Sequence, residues 1–379
     1  MTGWHHAPPP GSRSGVADYA ETLRRALAGF GPAGIDLYHL GNNALHAEIY
    51  QMALEQPGVI VLHDAVLHHF LLGQLSRPEY VEEFVFNYGE WQRDLAEELW
   101  AARGSSGVDP RYFQFPLLKR IVSGGRAVIV HNPGAARIAR AHAPASMRIH
   151  VIPHVFEPAA DPDHAEVAKF RAGLGVGPGT TLFGIFGYLR ETKRVLPCLR
   201  AFRRLHAARP DTALLLAGDA VSGDLRRLLA TEALHPHIHR LGHLSERDLL
   251  LAASATDCCL NLRYPAAGET SGIATRLMGM GKPVIMTAGP ENEALPASGC
   301  LRVAQGIAES RELFDCMALV TEFPQTAKDI GREGRRHILA HHSSEAVARQ
   351  YRQVLYESAA GQDARMPGRI DFYPPGAVR

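Results

Sequence analysis

The segment with the clearest chemistry is a short glycine-bounded loop, Gly268-Glu269-Thr270-Ser271-Gly272, between a predicted strand and a predicted helix. Apolar residues 258–262 precede the loop, and the helix that begins at Gly272 is predicted to end at Gly281. A helix N-terminus presents unpaired amides and a positive dipole end to an anion. With one carboxylate at the same mouth, the loop suits a ligand that carries phosphates and hydroxyls, such as a nucleotide sugar.

A second polar group follows another predicted strand, residues 181–186. Gly187 ends this strand, and three cations follow within a few residues, namely Arg190, Lys193 and Arg194. Cations at the start of a helix oppose its dipole, so their presence indicates an anion nearby. Because such side chains bind phosphate well, the turn is predicted to contact a diphosphate. The alternative is a solvated first helical turn.

Polar residues also follow the predicted strands of the first part of the chain. His63 and Asp64 come directly after the apolar strand 58–62, and Asn42 follows the strand 35–40. Ser12-Arg13-Ser14-Gly15 precedes an amphipathic helix predicted over residues 16–30. The alternatives for these groups are a structural His–Asp pair and a plain helix cap.

The elements that must position these residues form two blocks, as expected for 379 residues. Residues 181–343 alternate strands with helices, which predicts βαβ units, a parallel sheet and right-handed crossovers. Residues 1–157 form the other block, and 158–180 are predicted to be a linker with a short helical patch. Ligands of such α/β sheets bind at the carboxyl ends of the strands, where the polar residues fall. Residues 361–379 are expected to be a weakly ordered tail.

Composition narrows the class of protein. The chain is 46% hydrophobic and 21% charged, and its formal net charge of +1 gives no support to a nucleic-acid partner. It contains no run of 18 apolar residues, so at most a peripheral membrane contact is expected. Five cysteines without a CxxC pair predict reduced thiols in a cytoplasmic protein, with no metal role. The oligomeric state is not indicated.

These motifs resemble those of retaining glycosyltransferases of the GT-B fold, in the large bacterial group with an E-x7-E motif. The strongest match is Glu269-Thr270-Ser271-Gly272 followed by Gly281-Lys282-Pro283-Val284-Ile285. The resemblance covers nearly the whole chain. It implies two doubly wound, Rossmann-like α/β domains that face each other across a cleft. The first would bind the acceptor and the second the nucleotide sugar, with a C-terminal helix at 344–360 packed back on the first.

The resemblance also assigns roles in donor binding. Glu269 would hold hydroxyls of the donor sugar, and Lys193 matches the family lysine on the diphosphate. Tyr188 stands where the family has an arginine, so Arg190 or Arg194 would replace it. The expected catalytic residues are His63, Glu269 and Lys193. The expected diphosphate ligands are Gly15, Arg190, Lys193, Arg194, Thr270, Ser271 and Gly272.

The chain departs from the family pattern at the second glutamate, which holds the ribose hydroxyls. Arg276 occupies its place when counted back from Gly281, and Leu277 when counted forward from Glu269. Arg276 could contact a phosphate or the base, or Glu291 or Glu293 could hold the ribose. The segment Leu241-Gly242-His243-Leu244 resembles the family's nucleobase contact, so His243 and Leu244 join Glu269 and Arg276 as expected sugar and nucleoside contacts.

On the acceptor side, the loop before the first helix is similar to the family's glycine-rich first loop. Gly15 matches, and the expected acceptor-side residues are Arg13, Ser14, Asp64 and Asn42. Only residues 1–7 precede this loop. The first strand is therefore expected to be abbreviated, or the true start to lie upstream.

The predicted function is transfer of a sugar, with retention, from a nucleotide-diphosphate sugar to an acceptor hydroxyl. UDP or GDP would be the nucleotide, and the acceptor would be a small molecule, a lipid-linked compound or a glycan. No metal and no cofactor other than this co-substrate are expected. A nucleotide-sugar epimerase on the same fold and a non-catalytic nucleotide-sugar-binding protein are the alternatives.

Overall fold

The computed structural model describes residues 5–12, 14–28, 35–232 and 235–360. Its first domain is built on a five-stranded parallel sheet in which the strands lie in chain order, β1-β2-β3-β4-β5. The three middle strands are fully buried and mostly apolar, as expected where helices cover both faces. They are β1 (His5–His6), β2 (Leu37–Leu40), β3 (Val59–Leu62), β4 (Ala127–Val130) and β5 (Ile149–Val151).

Eight helices belong to the described part of this domain. They are α1 (Gly15–Ala26), α2 (Ala47–Glu55), α3 (His68–Gln74), α4 (Arg77–Tyr88), α5 (Arg93–Ala101), α6 (Arg111–Gln114), α7 (Lys119–Gly124) and α8 (Pro133–His142). The sequence predicts one helix over residues 80–102, and this prediction is wrong. Gly89 adopts φ 95° and separates α4 from α5, since glycine readily takes a conformation that ends a helix.

The second domain is built on a six-stranded parallel sheet with the order β11-β10-β9-β6-β7-β8. The chain enters at the centre, runs to one edge, and then continues on the other side of β6. The order therefore reverses between β6 and β9, which is where open α/β sheets bind ligands. The strands are β6 (Thr181–Phe186), β7 (Thr212–Ala217), β8 (Ile238–Leu241), β9 (Cys258–Asn261), β10 (Val284–Thr287) and β11 (Leu301–Val303).

The helices that follow complete the molecule. They are α9 (His164–Gly173), α10 (Val195–Ala208), α11 (Gly223–Glu232), α12 (Glu246–Ala255), α13 (Gly272–Gly279), α14 (Glu309–Glu322), α15 (Pro324–His341) and α16 (Ser344–Ala359). α9 lies in the segment predicted to be a linker, but it packs on α12. Arg171 of α9 donates to the carbonyl of Ala255, with an Nη1–O distance of 2.6 Å. The segment thus extends the second domain.

The last helix returns to the first domain. The hydroxyls of Tyr351 on α16 and Tyr19 on α1 form a buried hydrogen bond of 2.8 Å. Tyr351, Val347 and Leu355 share an apolar cluster with β2, β3 and β4. The predicted tail, residues 361–379, lies outside the described residues.

Three sequence expectations concern the whole chain. No helix among the described residues is both long and apolar enough to cross a membrane. The five cysteines are unpaired, and Cys316 is the most exposed of them. Nowhere in the described ranges do three or more His, Cys, Asp or Glu side chains form a group that could hold a metal ion.

Candidate active site

The Glu269 loop follows β9, beside the point where the strand order reverses. Gly268 adopts φ +73°, and a Cβ on it would lie 2.7 Å from the Cβ of Ala65 in the first domain. Both the conformation and the close approach require glycine. The Glu269 carboxylate accepts from Arg263 Nη1 at 2.7 Å and from the Ala267 amide at 2.6 Å. Each oxygen keeps a further lone pair with which to accept a hydroxyl.

Helix α13 begins directly after this loop. Ser271 is its N-cap: Oγ accepts from the Ala274 amide at 3.2 Å and is 3.1 Å from Asn261 Oδ1. Capping of this kind leaves the amides of Gly272 and Ile273 without a carbonyl inside the helix. They sit at the positive end of the helix dipole, next to Glu269. The arrangement can hold an anion beside a group that accepts from hydroxyls.

Lys193 lies near the N-terminus of α13 and is only 9% exposed. Its Nζ donates to the Phe186 carbonyl at 2.5 Å. Burial, and next the nearby Arg263 guanidinium, lower the pKa of the Lys193 ammonium to about 7. One carbonyl satisfies only one of the three donors of a buried ammonium, so an anion bound here would stabilise its charge.

The two arginines that flank Lys193 differ in their partners. Arg194 takes a left-handed backbone conformation, φ 56°, and forms a bidentate ion pair with the buried Glu309 at 2.5–3.1 Å. Arg190 is exposed and forms no hydrogen bond or ion pair within the described ranges. Arg190 is therefore the arginine that remains available to a diphosphate.

A pocket opens at the carboxyl ends of β9 and β10. Glu291 and Glu269 both contribute to its wall, and burial raises the pKa of Glu291, with Glu269 adding to the effect. The pocket is lined by Asn261, Arg263, Ala266, Glu269, Ser271, Thr287, Glu291 and Asn292.

Asp64 faces this site from the first domain. Its Oδ2 accepts from the Asn42 amide at 2.7 Å. Burial, and next the charge of Glu269, raise the pKa of Asp64 to about 6, while Arg263 and Arg190 oppose the shift. Two carboxylates from different domains thus lie within electrostatic reach of each other in one cleft.

Known proteins resemble this chain in part of its sequence and in its fold. Residues 194–353 match a family model described as glycosyl transferase-like, which covers most of the second domain. The two domains have the GT-B fold. No curated protein is a significant match to this chain.

Solved structures of glycosyltransferases share the fold of this chain. One is WaaG, a glycosyltransferase involved in lipopolysaccharide biosynthesis, with a TM-score of 0.60 and 13% identity over 93% of this chain and 98% of that one. HepE of Anabaena, solved with UDP-glucose, has a TM-score of 0.57 and 19% identity over 83% and 82% of the two chains. Sucrose-phosphate synthase from Thermosynechococcus elongatus has a TM-score of 0.56 and 19% identity over 89% and 76%.

His63 lies in a buried chain of imidazoles in the first domain. His131 Nδ1 donates to the Ile152 carbonyl at 3.0 Å, which leaves its Nε2 to accept from His63 Nδ1 at 3.3 Å. His63 Nε2 then accepts from His39 Nδ1 at 3.0 Å. Burial, and next the neighbouring His131, hold the pKa of His63 well below its usual range. Both of its ring nitrogens are engaged inside the domain, and its role at the donor sugar stays a prediction.

Arg276 points from α13 towards the first domain of the enzyme. Its Nη2 is 3.5 Å from Glu246 Oε1. The guanidinium is also close enough to Asp18 on α1 to oppose the burial that raises the pKa of that carboxyl. Arg276 therefore stands in the cleft between α1 and α12, and contact with a nucleotide stays a prediction.

The two glutamates proposed to replace the family's second glutamate occupy different places. Glu291 lines the same pocket as Glu269. Glu293 forms a bidentate pair with Arg137 of α8, at 2.6 and 2.9 Å. Glu293 thus links the domains, and Glu291 is the one directed to the pocket.

The predicted nucleobase residues lie in the loop after β8. His243 is exposed, and its amide donates to Asp219 Oδ1 at 3.2 Å, while Leu244 packs partly buried on the domain core. The Asp219 turn thus fixes the backbone of this loop at the carboxyl edge of the sheet.

The acceptor-side residues divide into three cases. Arg13 lies outside the described residues. Ser14 caps α1, its Oγ accepting from the Val16 amide at 3.3 Å, and Gly15 is exposed at the first turn. The Asn42 side chain accepts from the Phe70 amide at 2.7 Å, and its contact with an acceptor stays a prediction.

Sequence reasoning left out several residues of the site. Asn261 and Thr287 are the last residues of β9 and β10, so the rule that ligands bind at strand carboxyl ends already pointed to them. Thr287 Oγ1 accepts from the Arg263 amide at 2.9 Å and so helps to orient the partner of Glu269. The position of Arg263 shortly before Glu269 suggests that it faces the cleft, but its pairing with Glu269 depends on the turn between them.

Proposed function

We propose that this protein is a glycosyltransferase that moves a hexose, with retention, from a nucleotide-diphosphate sugar to an acceptor hydroxyl. The observation that carries the proposal is the meeting of Lys193, the N-terminus of α13 and Glu269 at the switch point of the second sheet. Cations and free amides suit a diphosphate, and a carboxylate suits the hydroxyls of a sugar.

The same groups support a mechanism for bond cleavage. Negative charge grows on the diphosphate as the bond to the sugar breaks, and Lys193, Arg190 and the α13 amides would stabilise it. A leaving-phosphate oxygen would take the proton from the acceptor hydroxyl, which attacks from the same face. Both oxygens of Glu269 are held by Arg263 and the Ala267 amide. This favours front-face attack over a covalent intermediate on a carboxylate.

For the donor we propose UDP-hexose first and GDP-hexose second, since HepE, which shares the fold, was solved with UDP-glucose. The acceptor would bind in the first domain and be a small molecule, a lipid-linked compound or a glycan. We propose further that the enzyme is cytoplasmic and uses neither a metal nor another cofactor.

A second candidate is epimerisation of a nucleotide sugar. Asp64 has a pKa of about 6 and lies within electrostatic reach of Glu269. Together the two residues supply the carboxylates that an epimerase needs to transfer protons or to stabilise an oxocarbenium ion. Incubation with the donor alone separates the two reactions, because an epimerase converts the donor without an acceptor.

The test is an assay of UDP-, GDP- and ADP-hexoses with a panel of acceptors. Nucleoside diphosphate release gives the rate, and NMR of the product gives the anomeric configuration. We expect acceptor-dependent release with one nucleotide and the donor's configuration retained. Release without acceptor dependence, an inverted product or an epimerised donor would contradict the proposal.

A further inference from the structure

One side chain of the first domain holds both neighbours of Glu269. Asn132 follows β4, is 3% exposed and lies against the Glu269 loop. Its Nδ2 donates to the Gly268 carbonyl at 2.9 Å and to Thr270 Oγ1 at 3.0 Å. Gly268 and Thr270 immediately precede and follow Glu269 in the chain. The Asn132 side chain thus binds the residues on both sides of Glu269 from the opposite domain.

The Asn132 amide has no hydrogen-bonding group left for another task. Its Oδ1 accepts from the Ala135 amide at 2.7 Å and caps α8. The cap fixes the side chain on a rigid helix end, so its two N–H groups have a set direction. A second attachment lies beside it, where the Ala65 amide donates to the Ala267 carbonyl at 2.8 Å.

The loop needs such external support. Gly268 has no side chain to pack and adopts φ +73°. Arg263 and the Ala267 amide hold the Glu269 carboxylate, but neither fixes the backbone on both sides of Glu269. Small misplacement of a positioning group costs much of a rate enhancement.

We propose that Asn132 is a positioning residue for sugar transfer. It orients Glu269 from the other domain, so that Glu269 meets the donor sugar in the productive geometry when the two domains are docked. This inference rests on the proposed role of Glu269 at the donor sugar.

The test is Asn132→Asp, which keeps the size of the side chain and the helix cap but removes both N–H donors. We expect kcat/KM for transfer to fall at least tenfold, mostly through kcat. Affinity for UDP, which carries no sugar, should stay within twofold of the wild type. A merely structural role would lower both together.

Asn87→Asp is the matched control. Asn87 Nδ2 donates to two oxygens of Glu83 and its Oδ1 accepts from the Lys119 amide, all within the first domain. Asn87→Asp should lower the melting temperature. Below that temperature, kcat and KM for transfer should equal those of the wild type.

A second pair keeps the inference testable if Asn132→Asp does not fold. Thr270→Val removes the hydroxyl that accepts from Asn132 and Thr270→Ser keeps it, so the valine variant should lose at least fivefold more transfer. Equal transfer by both, or wild-type rates for Asn132→Asp, would overturn the inference alone. A wild type that transfers no sugar would overturn the proposed function and the inference with it.

Discussion

Two cations at the phosphate end of the candidate site lack a carboxylate partner. Lys193 has one carbonyl as its partner, Arg190 forms no ion pair within the described ranges, and Arg263 is matched by Glu269. Because a buried charge with few partners is costly, a bound anion would stabilise the Lys193 ammonium. This imbalance suits a diphosphate better than an uncharged sugar.

The titration of Lys193 makes this imbalance measurable. Its ammonium has a pKa of about 7 in the folded protein, and a bound diphosphate would stabilise the charged form. Binding of UDP should therefore take up a proton near pH 7–8. Affinity should weaken about fivefold from pH 7 to pH 8, as the charged fraction falls. Calorimetry in buffers of different ionisation enthalpy measures both effects.

The stability of the free enzyme should rise with pH over the range in which its affinity for UDP falls. The unfolded Lys193 titrates near 10.5, so between pH 7 and 10.5 the unfolded state binds more protons. The Lys193 contribution then makes the free energy of unfolding rise with pH. In Lys193→Met both pH dependences should disappear, and UDP affinity that still weakens fivefold would assign the titration to another group.

At the scale of elements, Arg194 joins the starts of two helices. It precedes α10 and pairs with Glu309, the first residue of α14. We expect Arg194→Met to lower the free energy of unfolding by about 2 kcal/mol, because the buried Glu309 loses its partner. Arg190→Gln should leave stability unchanged and weaken UDP binding about tenfold. Urea unfolding and UDP titration of both variants measure these effects. If Arg194→Met weakened UDP binding tenfold and Arg190→Gln did not, Arg194 would be the phosphate ligand.

The elements of the second domain were largely predictable from the sequence. Thr181–Phe186 matches its predicted bounds, and Val195–Ala208 follows the expected alternation of strand and helix, since apolar runs and amphipathic periods are local signals. α14 and β11 were missed. β11 is a three-residue edge strand, and such a short run gives too weak a pattern to detect. Gly89 was overlooked because the residues around it continue a helical pattern.

The candidate site was predictable only where its signals are local. The position of His63 after a strand is visible in the sequence, but its partners His39 and His131 come from the strands on either side. Their meeting depends on the strand order β2-β3-β4, which local patterns do not contain. The same holds for Asn132, whose partners lie in the other domain.

At the scale of the whole molecule, docking of the two domains depends on a close backbone approach. A Cβ on Gly134, in the first turn of α8, would lie 2.8–2.9 Å from atoms of Pro290. Gly134→Ala would favour the isolated helix by about 1 kcal/mol, yet must push the domains apart. We expect lower thermal stability and several-fold slower transfer.

Gly73→Ala is the matched control for this interface. Gly73 is in helix α3, and a Cβ there would have nothing within 4 Å. Alanine should raise the thermal stability slightly and leave transfer unchanged. If Gly134→Ala behaved in the same way, the domains would not need this contact for activity.

The central claim is that the Glu269 loop binds the donor sugar beside a diphosphate site. The most direct measurement is the transfer rate and UDP affinity of Glu269→Gln, with Glu312→Gln as a control. Glu312 is also a half-buried carboxylate that accepts a backbone amide, at 2.6 Å from Ala304. We predict a loss of about 100-fold in kcat/KM with UDP affinity within twofold, and little effect in the control. Transfer by Glu269→Gln at the wild-type rate would contradict the claim.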